Sequence, residues 1–441
     1  MFPRAARLSG ARADSRSALG LPGGMSRRRM LTLTGTAGAA AAAAGALGAA
    51  PASAAERTWR VTGEDVAPLA HFDGVMKDYM QARGITAGSL AVARNGRLSL
   101  ARGYTWGDDS VATTGVTDVF RIASLSKPVA GTAAMRLAQE GELDLDAPLA
   151  DLVDLSPLAG ETADPRLGEV TVRRALQHLG GWDRDVSFDP LWNTIAISRE
   201  MGVDLPLGRS EVIAYTSGME LDHAPGTRYA YSNYGYLLVS EAITAVTGMS
   251  YEDHVVSDVL GAVDIARMRA GRSLSADQEG EVGYDSKYTV TSALDSSGAQ
   301  VPYPYGGFNL EIQLGNGGWV ASAADLARFC TIYDTPEAAG VLTPDSISTV
   351  FEQPETGGGA THYGLGWSVR PTGSGENTWH TGSMPGTYTF LARSNGYTVV
   401  ALFNRRDEGD ALNWGEIDPK LWDAVNEVGT WPTEDLTPIY F

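Results

Sequence analysis

Cysteine and recognisable metal-binding patterns are almost absent from this chain. Its 441 residues contain one cysteine, Cys330, which excludes an internal disulfide and reads as a packed helix residue. The six histidines are scattered, with no His-Glu-x-x-His sequence and no pair of cysteines. These absences argue against a metal hydrolase, and we expect neither a metal nor another cofactor.

Basic residues are also scarce relative to acidic ones. The chain has 34 lysines and arginines against 53 aspartates and glutamates, a net charge of −19 at pH 7. Seven of the arginines and one aspartate lie in residues 1–54, which leaves 27 basic and 52 acidic residues, a net −25, in the remainder. A surface of this charge repels nucleic acid and anionic membranes, so we predict no nucleic-acid partner.

The first 54 residues differ in composition from the rest. A twin-arginine run within residues 25–31 precedes a weakly apolar Ala/Gly-rich stretch to Ala50 and an Ala-Ser-Ala sequence at 52–54. This order is typical of a Tat-type export signal, whereas a transmembrane anchor would need a more apolar segment. We predict that residues 1–54 are an export signal with a disordered N-terminus. The protein would be secreted, with no stable membrane insertion after cleavage.

Ser124 and Lys127 form the most informative short motif. The chain has only four lysines, and only Lys127 has a serine three residues before it. Strand-like sequence precedes Ser124, and a helical pattern follows it as far as Gly141. A serine at a helix entry meets unpaired N–H groups, and a lysine nearly one turn later can reach its oxygen. The motif therefore indicates a serine nucleophile with a lysine base, with an N-capping serine beside a solvated lysine as the alternative.

Two further motifs follow in order. Tyr231-Ser232-Asn233 comes 107 residues after Ser124, and His380-Thr381-Gly382 comes 149 residues after Tyr231. With the flanking sequences they resemble the penicillin-recognising serine hydrolases over about residues 60–410. This family includes class C β-lactamases, D-alanyl-D-alanine carboxypeptidases, D-aminopeptidases and related esterases. The flanking sequences are Phe120–Ser124, Pro225–Thr227, Gly317–Ser322, Tyr363–Trp367 and Ser383–Gly386.

The resemblance implies a role for each motif. Ser124 would form an acyl-enzyme, and Lys127 would accept its proton once its pKa falls by roughly 3 units. Tyr231 would relay the proton or, as phenolate, act as the base. Substrate-binding roles would fall to Asn233, which would also place Lys127, and to His380, Thr381, Gly382 and Ser383. The N–H groups of Ser124 and Ser383 would form the oxyanion hole.

His380 stands where many β-lactamases of the family carry a lysine. A histidine changes charge near pH 6.5, so we expect activity to change through His380 between about pH 5.5 and 7.5. The substitution favours a peptidase or esterase over an efficient β-lactamase. The leading prediction is a D-alanyl-D-alanine carboxypeptidase or D-peptidase acting on a small-molecule or peptide substrate such as a cell-wall peptide. The alternatives are a carboxylesterase, a weak class C-like β-lactamase and a non-catalytic penicillin-binding-like module.

The same pattern predicts an α+β fold, with an antiparallel sheet flanked by helices and a second, mostly helical lobe. Strand-like segments lie near both ends of the chain, and helical ones fill its middle. Residues 55–441 would form the hydrolase domain, its sheet lobe about 59–135 and 311–441, its helical lobe about 136–310. The predicted elements include helices at 66–83 and 419–428, Asn-Gly hairpins at 88–104 and 387–403, and one strand at 363–370.

Overall fold

The computed structural model describes residues 56–274, 279–357, 359–373 and 375–441. The predicted export signal at 1–54 lies outside these residues. Within them, no helix combines the length and the apolar character needed to cross a membrane.

One large antiparallel sheet joins the two ends of the described chain. In the described ranges the strands are β1 (Thr58–Thr62), β2 (Ala87–Arg94), β3 (Arg97–Gly107), β4 (Phe120–Arg121), β5 (Arg269–Ala270), β6 (Thr289–Thr291), β7 (Gln300–Pro302), β8 (Trp319–Ala321), β9 (His362–Tyr363), β10 (Ser368–Thr372), β11 (Gly375–Met384), β12 (Thr387–Ser394) and β13 (Tyr397–Phe403). The order in the eight-stranded sheet is β1-β3-β2-β13-β12-β11-β10-β9. The small β4-β8-β5 sheet leads the chain into the segment that carries Ser124.

Helices cover both faces of the large sheet. The α-helices of the described residues are α1 (His71–Arg83), α2 (Ser126–Glu140), α3 (Val172–Leu176), α4 (Thr194–Met201), α5 (Arg209–Ser217), α6 (Asn233–Thr247), α7 (Tyr251–His254), α8 (Ala323–Phe329), α9 (Thr331–Asp334), α10 (Pro336–Ala339), α11 (Pro344–Val350), α12 (Ile417–Glu427) and α13 (Thr437–Tyr440). Along β13, Val399 and Ala401 pack against α1 and α12, whereas Val400 and Leu402 join the core that contains α2 and α8. The alternation of a strand thus places one sheet between two apolar layers.

The α+β fold prediction is confirmed: the described chain is a mixed structure of helices and antiparallel sheet. Both hairpins turn where the Asn-Gly pairs stand, with Asn95 and Asn395 at φ 50° and a glycine of positive φ after each. Residues 136–310 contribute α3 to α7 and the short strands β5 to β7. The exact lobe boundaries stay a prediction.

Two predicted elements differ from the structure. The first helix begins at His71 instead of Val66, because Pro68 lies in a separate short 3-10 turn at Ala67–Leu69. The single strand predicted at 363–370 is two strands, β9 and β10. The chain turns sharply between them, with Gly366 at φ 92°, a conformation that a glycine adopts without strain.

Candidate active site

Ser124 lies in a 3-10 turn, Ala123–Leu125, and α2 begins two residues later. Ala123 has a φ of 50°, which is costly for a residue with a side chain, so the turn must be held from outside. Two hydroxyls of β12 hold it: Thr389 Oγ1 donates to Ile122 O at 2.9 Å, and Thr387 Oγ1 donates to Arg121 O at 2.9 Å. The backbone that presents Ser124 is therefore fixed by the large sheet.

Arg121 anchors the same segment from the other side. Its buried guanidinium lies 3.3 Å from the Glu281 carboxylate and donates to the carbonyl oxygens of Pro304 at 2.5 Å and Arg272 at 2.8 Å. These contacts tie β4 to the region at 270–310. A buried, hydrogen-bonded pair of this kind fixes position more than it adds stability.

The Lys127 ammonium group is fully buried next to Ser124. Nζ lies 3.1 Å from Ser124 Oγ, 2.8 Å from Asn233 Oδ1 and 2.9 Å from the backbone oxygen of Asn316. Burial holds the pKa of Lys127 well below its usual value. The positive charge of Arg184 lowers that pKa further, and the carboxylate of Asp189 opposes the change.

The Tyr231 hydroxyl reaches Ser124 from the opposite direction. It donates to Ser124 Oγ at 2.8 Å, and burial raises the pKa of the phenol far above its usual value, which disfavours a phenolate. The His178 ring packs against the Tyr231 ring with centroids 4.3 Å apart. His178 Nδ1 accepts a hydrogen bond from the Ser232 N–H at 3.1 Å, so this histidine fixes the backbone next to Tyr231.

Asn233 begins α6 with its side chain turned toward Lys127. Its Nδ2 donates to Asp189 Oδ2 at 2.6 Å, which leaves Oδ1 to face the lysine. Burial raises the pKa of the Asp189 carboxyl. Sequence reasoning missed Asp189, because the 185–215 segment has no regular period. The available signal was an aspartate directly before Pro190, where it caps a 3-10 turn.

Strand β11 brings the third motif against the Ser124 turn. A Cβ added at Gly382 would lie 2.5 Å from Ile122 O and 3.0 Å from Ala123 Cβ, so only glycine fits. Thr381 and Ser383 point to the other face of the strand and are exposed. The register between β10 and β11 ends at Trp379, so β10 does not pair with the three residues that follow.

His380 is buried and does not contact Ser124 directly. Its Nδ1 lies 2.7 Å from Thr381 O and its Nε2 lies 2.8 Å from the Tyr363 hydroxyl. A carbonyl oxygen only accepts, so Nδ1 carries the proton and Nε2 accepts from Tyr363. Its ring centroid is 6.5 Å from that of Tyr231.

The expected charge change of His380 near pH 6.5 is wrong. Burial, with Lys127 adding to it, lowers the pKa of this imidazole to about 3, so it is neutral throughout pH 5.5–7.5. The sequence identified the residue type, but the charge state follows from the tertiary environment.

The four residues joined through hydrogen bonds are Ser124, Lys127, Tyr231 and Asn233. Gly382 packs against the turn that carries Ser124, and the His380 ring lies near the Tyr231 ring. The side chains of Thr381 and Ser383 are exposed. Over the described ranges, no group of three His, Cys, Asp or Glu side chains is arranged to hold a metal ion. The arrangement suits nucleophilic attack by a serine next to a buried amine and a neutral phenol.

A family model and several known proteins match this chain. The family model described as Beta-lactamase matches residues 72–418. Protein flp of Staphylococcus aureus strain N315 is 24% identical over 362 residues, which cover 80% of this chain and 65% of that protein. The chain thus spans less than two thirds of the length of this curated relative.

Several solved structures share the fold. The octameric penicillin-binding protein homologue from Pyrococcus abyssi has a TM-score of 0.61 at 21% identity and covers 81% of this chain and 77% of its own. The D-amino acid amidase from Ochrobactrum anthropi SV3, complexed with D-phenylalanine, has a TM-score of 0.61 at 21% identity. The match covers 82% of this chain and 100% of the amidase chain. The D-stereospecific amidohydrolase from Streptomyces sp. has a TM-score of 0.57 at 18% identity. The match covers 75% of this chain and 94% of the amidohydrolase chain.

Proposed function

The chain belongs to the beta-lactamase family of serine hydrolases, and we propose that it hydrolyses D-amino-acid peptides in the manner of a D-alanyl-D-alanine carboxypeptidase. The main support for this proposal is that two proton-transfer groups contact the nucleophile Ser124. Ser124 Oγ has the Lys127 amine at 3.1 Å and the Tyr231 hydroxyl at 2.8 Å. One group can remove its proton while the other returns a proton to the leaving group.

Lys127 is the base in this proposal. When neutral, its two protons go to the carbonyl oxygens of Asn233 and Asn316, which can only accept. The lone pair then faces the Ser124 hydroxyl and takes its proton as Oγ attacks the substrate carbonyl. The lowered pKa of Lys127 increases the fraction of this neutral form at a given pH.

Tyr231 is the proton donor. Its raised pKa keeps the phenol protonated, so the hydroxyl is able to hand its proton to a departing nitrogen or oxygen. Lys127 Nζ and the Tyr231 hydroxyl both lie within hydrogen-bond distance of Ser124 Oγ, so the proton that Lys127 takes from Ser124 can return to the Tyr231 oxygen after the leaving group departs, which restores both groups before deacylation. In this scheme Tyr231 relays a proton and does not act as phenolate base, which selects one of the two roles left open by the motif.

The substrate would lie along β11. Gly382 packs the strand onto the Ser124 turn, and residues 381–383 are not paired with β10, so an extended peptide has backbone groups to bind there. We assign oxyanion binding to the N–H groups of Ser124 and Ser383. Two structural neighbours are named for D-amino-acid or D-stereospecific hydrolysis, which favours a D-configured acyl donor in the proposal.

A carboxylic ester is the second candidate substrate. His380 is neutral, so the third motif offers no fixed cation to the carboxylate of a β-lactam. This favours a peptidase or esterase and makes efficient β-lactam hydrolysis the weaker candidate. A non-catalytic penicillin-binding-like module is the outcome if no substrate turns over.

The decisive experiment combines labelling with a substrate panel. A fluorophosphonate probe and a fluorescent penicillin should label the wild type, and Ser124→Ala should abolish labelling. Ser126→Ala is the matched control, because Ser126 is the first residue of α2 and its hydroxyl donates to Ala123 O at 2.7 Å. Hydrolysis of N-acyl-D-Ala-D-Ala, but not of its L,L isomer, supports the D-peptidase. Turnover of p-nitrophenyl esters alone supports the esterase, and no labelling with no turnover refutes both.

Export is a separate part of the proposal. We infer from the twin-arginine run that residues 1–54 are removed during secretion, which would bring the enzyme to cell-wall peptides. Expression of the full chain in a Tat-competent host, with Arg28 and Arg29 both changed to lysine in the control, tests it. Secreted protein with an N-terminus near Ala55, lost in the double variant, is expected. Equal secretion of both proteins would contradict it.

A further inference from the structure

His178 combines two unfavourable features in a fully buried position. Its φ is 60°, in the left-handed region that most residues other than glycine adopt only at a cost. Its Nε2 is buried, and no hydrogen-bond partner for it lies among the residues that the structure describes. A buried N–H without an acceptor destabilises the fold, and an apolar side chain would avoid it. A histidine that keeps both features indicates that its other contacts are needed.

Those contacts hold the three residues around the proton donor. The backbone oxygen of His178 accepts a hydrogen bond from the Ala230 N–H at 2.9 Å. Its ring packs against the Tyr231 ring with centroids 4.3 Å apart, and its Nδ1 accepts from the Ser232 N–H at 3.1 Å. Contacts to three consecutive residues fix the backbone on both sides of Tyr231 and the orientation of its ring.

His178 is also the closest ring neighbour of Tyr231 in the described chain. The other ring contact of Tyr231 is with His380, at a centroid distance of 6.5 Å. The imidazole of His178 packs in addition against the buried ring of Tyr363 at 4.4 Å, so its own position is fixed. The phenol that it contacts is held where its hydroxyl lies 2.8 Å from Ser124 Oγ.

The hydrogen bond from Ser232 determines which protonation state His178 must keep. The Ser232 N–H is a donor, so Nδ1 must offer a lone pair and the ring proton lies on Nε2. A second proton on Nδ1 would place two donors against each other and open this contact. Burial lowers the pKa of the imidazole, and the positive charge of Lys127 lowers it further, so the ring stays neutral. The unpaired Nε2–H is thus a consequence of keeping Nδ1 as an acceptor.

We propose that His178 is a positioning residue for Tyr231, whose hydroxyl it holds in place as the proton donor to the leaving group. The inference rests on the proposed function, in which Tyr231 protonates the departing atom. His178 acts through the phenol and not on the substrate, so its effect is confined to the step that needs this proton. Substitution should therefore slow the release of poor leaving groups much more than that of good ones.

The test uses two esters with the same acyl group, N-acetyl-D-alanine methyl ester and N-acetyl-D-alanine p-nitrophenyl ester. With both, Ser124 Oγ bonds to the carbonyl carbon, Lys127 takes the serine proton, and the ester C–O bond breaks. The methoxy oxygen must take a proton from Tyr231 as it leaves, whereas p-nitrophenolate leaves as an anion. The ratio of the two kcat/KM values therefore reports how well the Tyr231 hydroxyl is placed.

His178→Asn removes the ring but keeps what the backbone needs. The asparagine Oδ1 can accept from the Ser232 N–H, and asparagine tolerates the left-handed conformation. We expect kcat/KM for the methyl ester to fall by about 10- to 100-fold, as for a misplaced catalytic group, and that for the nitrophenyl ester to fall much less. An equal loss with both esters would overturn the proposal.

The same substitution in a Tyr231→Phe background forms a double-mutant cycle. With no hydroxyl left to place, His178→Asn should lower neither kcat/KM value further. A loss for the methyl ester as large as in the single variant would overturn the proposal, because His178 would then act independently of Tyr231.

His178→Phe is the second variant, because it keeps a ring against Tyr231 but has no acceptor. The unpaired Ser232 N–H would disturb the start of α6, where Asn233 contacts Lys127, so both kcat/KM values should fall together. Their ratio should stay near that of the wild type. A ratio as low as in His178→Asn would overturn the proposal, since the ring would then not place the hydroxyl.

His254→Asn is the matched control. His254 is also buried, and its Nε2 also has no partner among the described residues. It lies near Glu140, at the end of α2 far from Ser124. Its substitution should leave both kcat/KM values near those of the wild type. A lowered ester ratio in this variant would mean that the loss of any buried histidine has this effect, which would overturn the assignment to His178.

Failure of the proposed function gives different results. If the esters show a His178-dependent ratio but D-Ala-D-Ala peptides are not hydrolysed, the peptidase is rejected and the role of His178 is kept. If Tyr231→Phe does not lower the ratio, Tyr231 is not the donor, and the proposed relay and this inference are rejected together. If Tyr231→Phe lowers the ratio and His178→Asn does not, this inference alone is rejected.

Discussion

The Asp189 carboxylate accepts a 2.6 Å hydrogen bond from Asn233 Nδ2, and this contact sets which end of the amide faces Lys127. An ionised carboxylate only accepts, so the amide nitrogen must turn toward Asp189 and Oδ1 toward the lysine at 2.8 Å. The nucleophile's base is thus oriented by a residue that does not contact Ser124. Three separate segments, at 124–127, 189 and 231–233, are joined in one chain of contacts.

The first prediction concerns Asp189→Asn. An asparagine at this position can donate as well as accept, so the amide of Asn233 is free to flip and the lysine loses a fixed acceptor. We expect kcat/KM to fall by about 10- to 100-fold, as for a misplaced catalytic group. Asp189 is a positioning residue, so the second readout is the pH profile. Its carboxylate raises the pKa of Lys127, and its removal should move the ascending limb to lower pH.

Arg184→Gln is a control that should shift the ascending limb of the pH profile in the opposite direction. Loss of a positive charge beside Lys127 raises the lysine pKa, so the ascending limb should move to higher pH. Shifts in the same direction for both variants, or none in either, would contradict the electrostatic assignment.

The second prediction separates the two groups that contact Ser124. Tyr231→Phe removes the hydroxyl 2.8 Å from Oγ but keeps the ring against His178. Peptide hydrolysis should fall by about 10²- to 10⁴-fold, because the leaving nitrogen needs a proton. The rate of p-nitrophenyl ester hydrolysis should fall much less, because nitrophenolate can leave without being protonated. Single-turnover acylation rates measure both. If Tyr231→Phe lowered the acylation rate equally for both substrates, Tyr231 would be assigned the role of base.

The sequence correctly predicted the parts of the structure that depend only on neighbouring residues in the chain. The Asn-Gly pairs require positive φ at both residues of a tight hairpin turn, and the structure turns at both pairs. The spacing of Ser124 and Lys127 reflects a single turn of helix. Helix starts were less accurate, since a proline in a preceding 3-10 turn shifts the boundary, as at Pro68.

The rest depended on tertiary contacts. Asp189 and Arg184 come from an irregular segment, where no period shows which side chains turn inward. Arg393 in β12 pairs with Asp334 at 2.7 Å with both side chains largely buried, a contact between residues 59 positions apart that the strand pattern does not show. The neutral state of His380 follows from burial among groups distant in sequence. The roles of the motif residues remain predictions for the experiments above.

The third prediction is the acid sensitivity of folding. The pKa of His380 is about 3 in the folded protein and near 6.5 when unfolded, so the unfolded state binds the additional proton below pH 6.5. Stability from this group is complete above pH 6.5 and is lost as the pH falls toward 3. The expected loss is about 1.4 kcal/mol per pH unit. Burial lowers the pKa of His178 in the same direction.

His380→Asn tests this assignment by removing one titrating group. Urea unfolding between about pH 6 and pH 4.5 should show a shallower fall in the free energy of unfolding than in the wild type. The ascending limb of the activity profile should stay in place, because a neutral His380 exerts no charge on Lys127. An unchanged stability slope, or a limb that moves, would show that His380 carries charge in this range.

The fourth prediction tests the contact between β11 and the nucleophile turn. Gly382→Ala places a methyl group 2.5 Å from Ile122 O and still closer to the Thr389 hydroxyl, which holds that same oxygen. The turn or the strand must move, at a cost of about 1–3 kcal/mol. A displacement of about 1 Å at Ser124 lowers activity about 100-fold. Gly373→Ala is the control, since no atom lies within 4 Å of its added Cβ. Thermal unfolding and acylation rates should change in the first variant and stay near wild type in the second. Wild-type acylation in Gly382→Ala would mean that the turn holds Ser124 without support from β11.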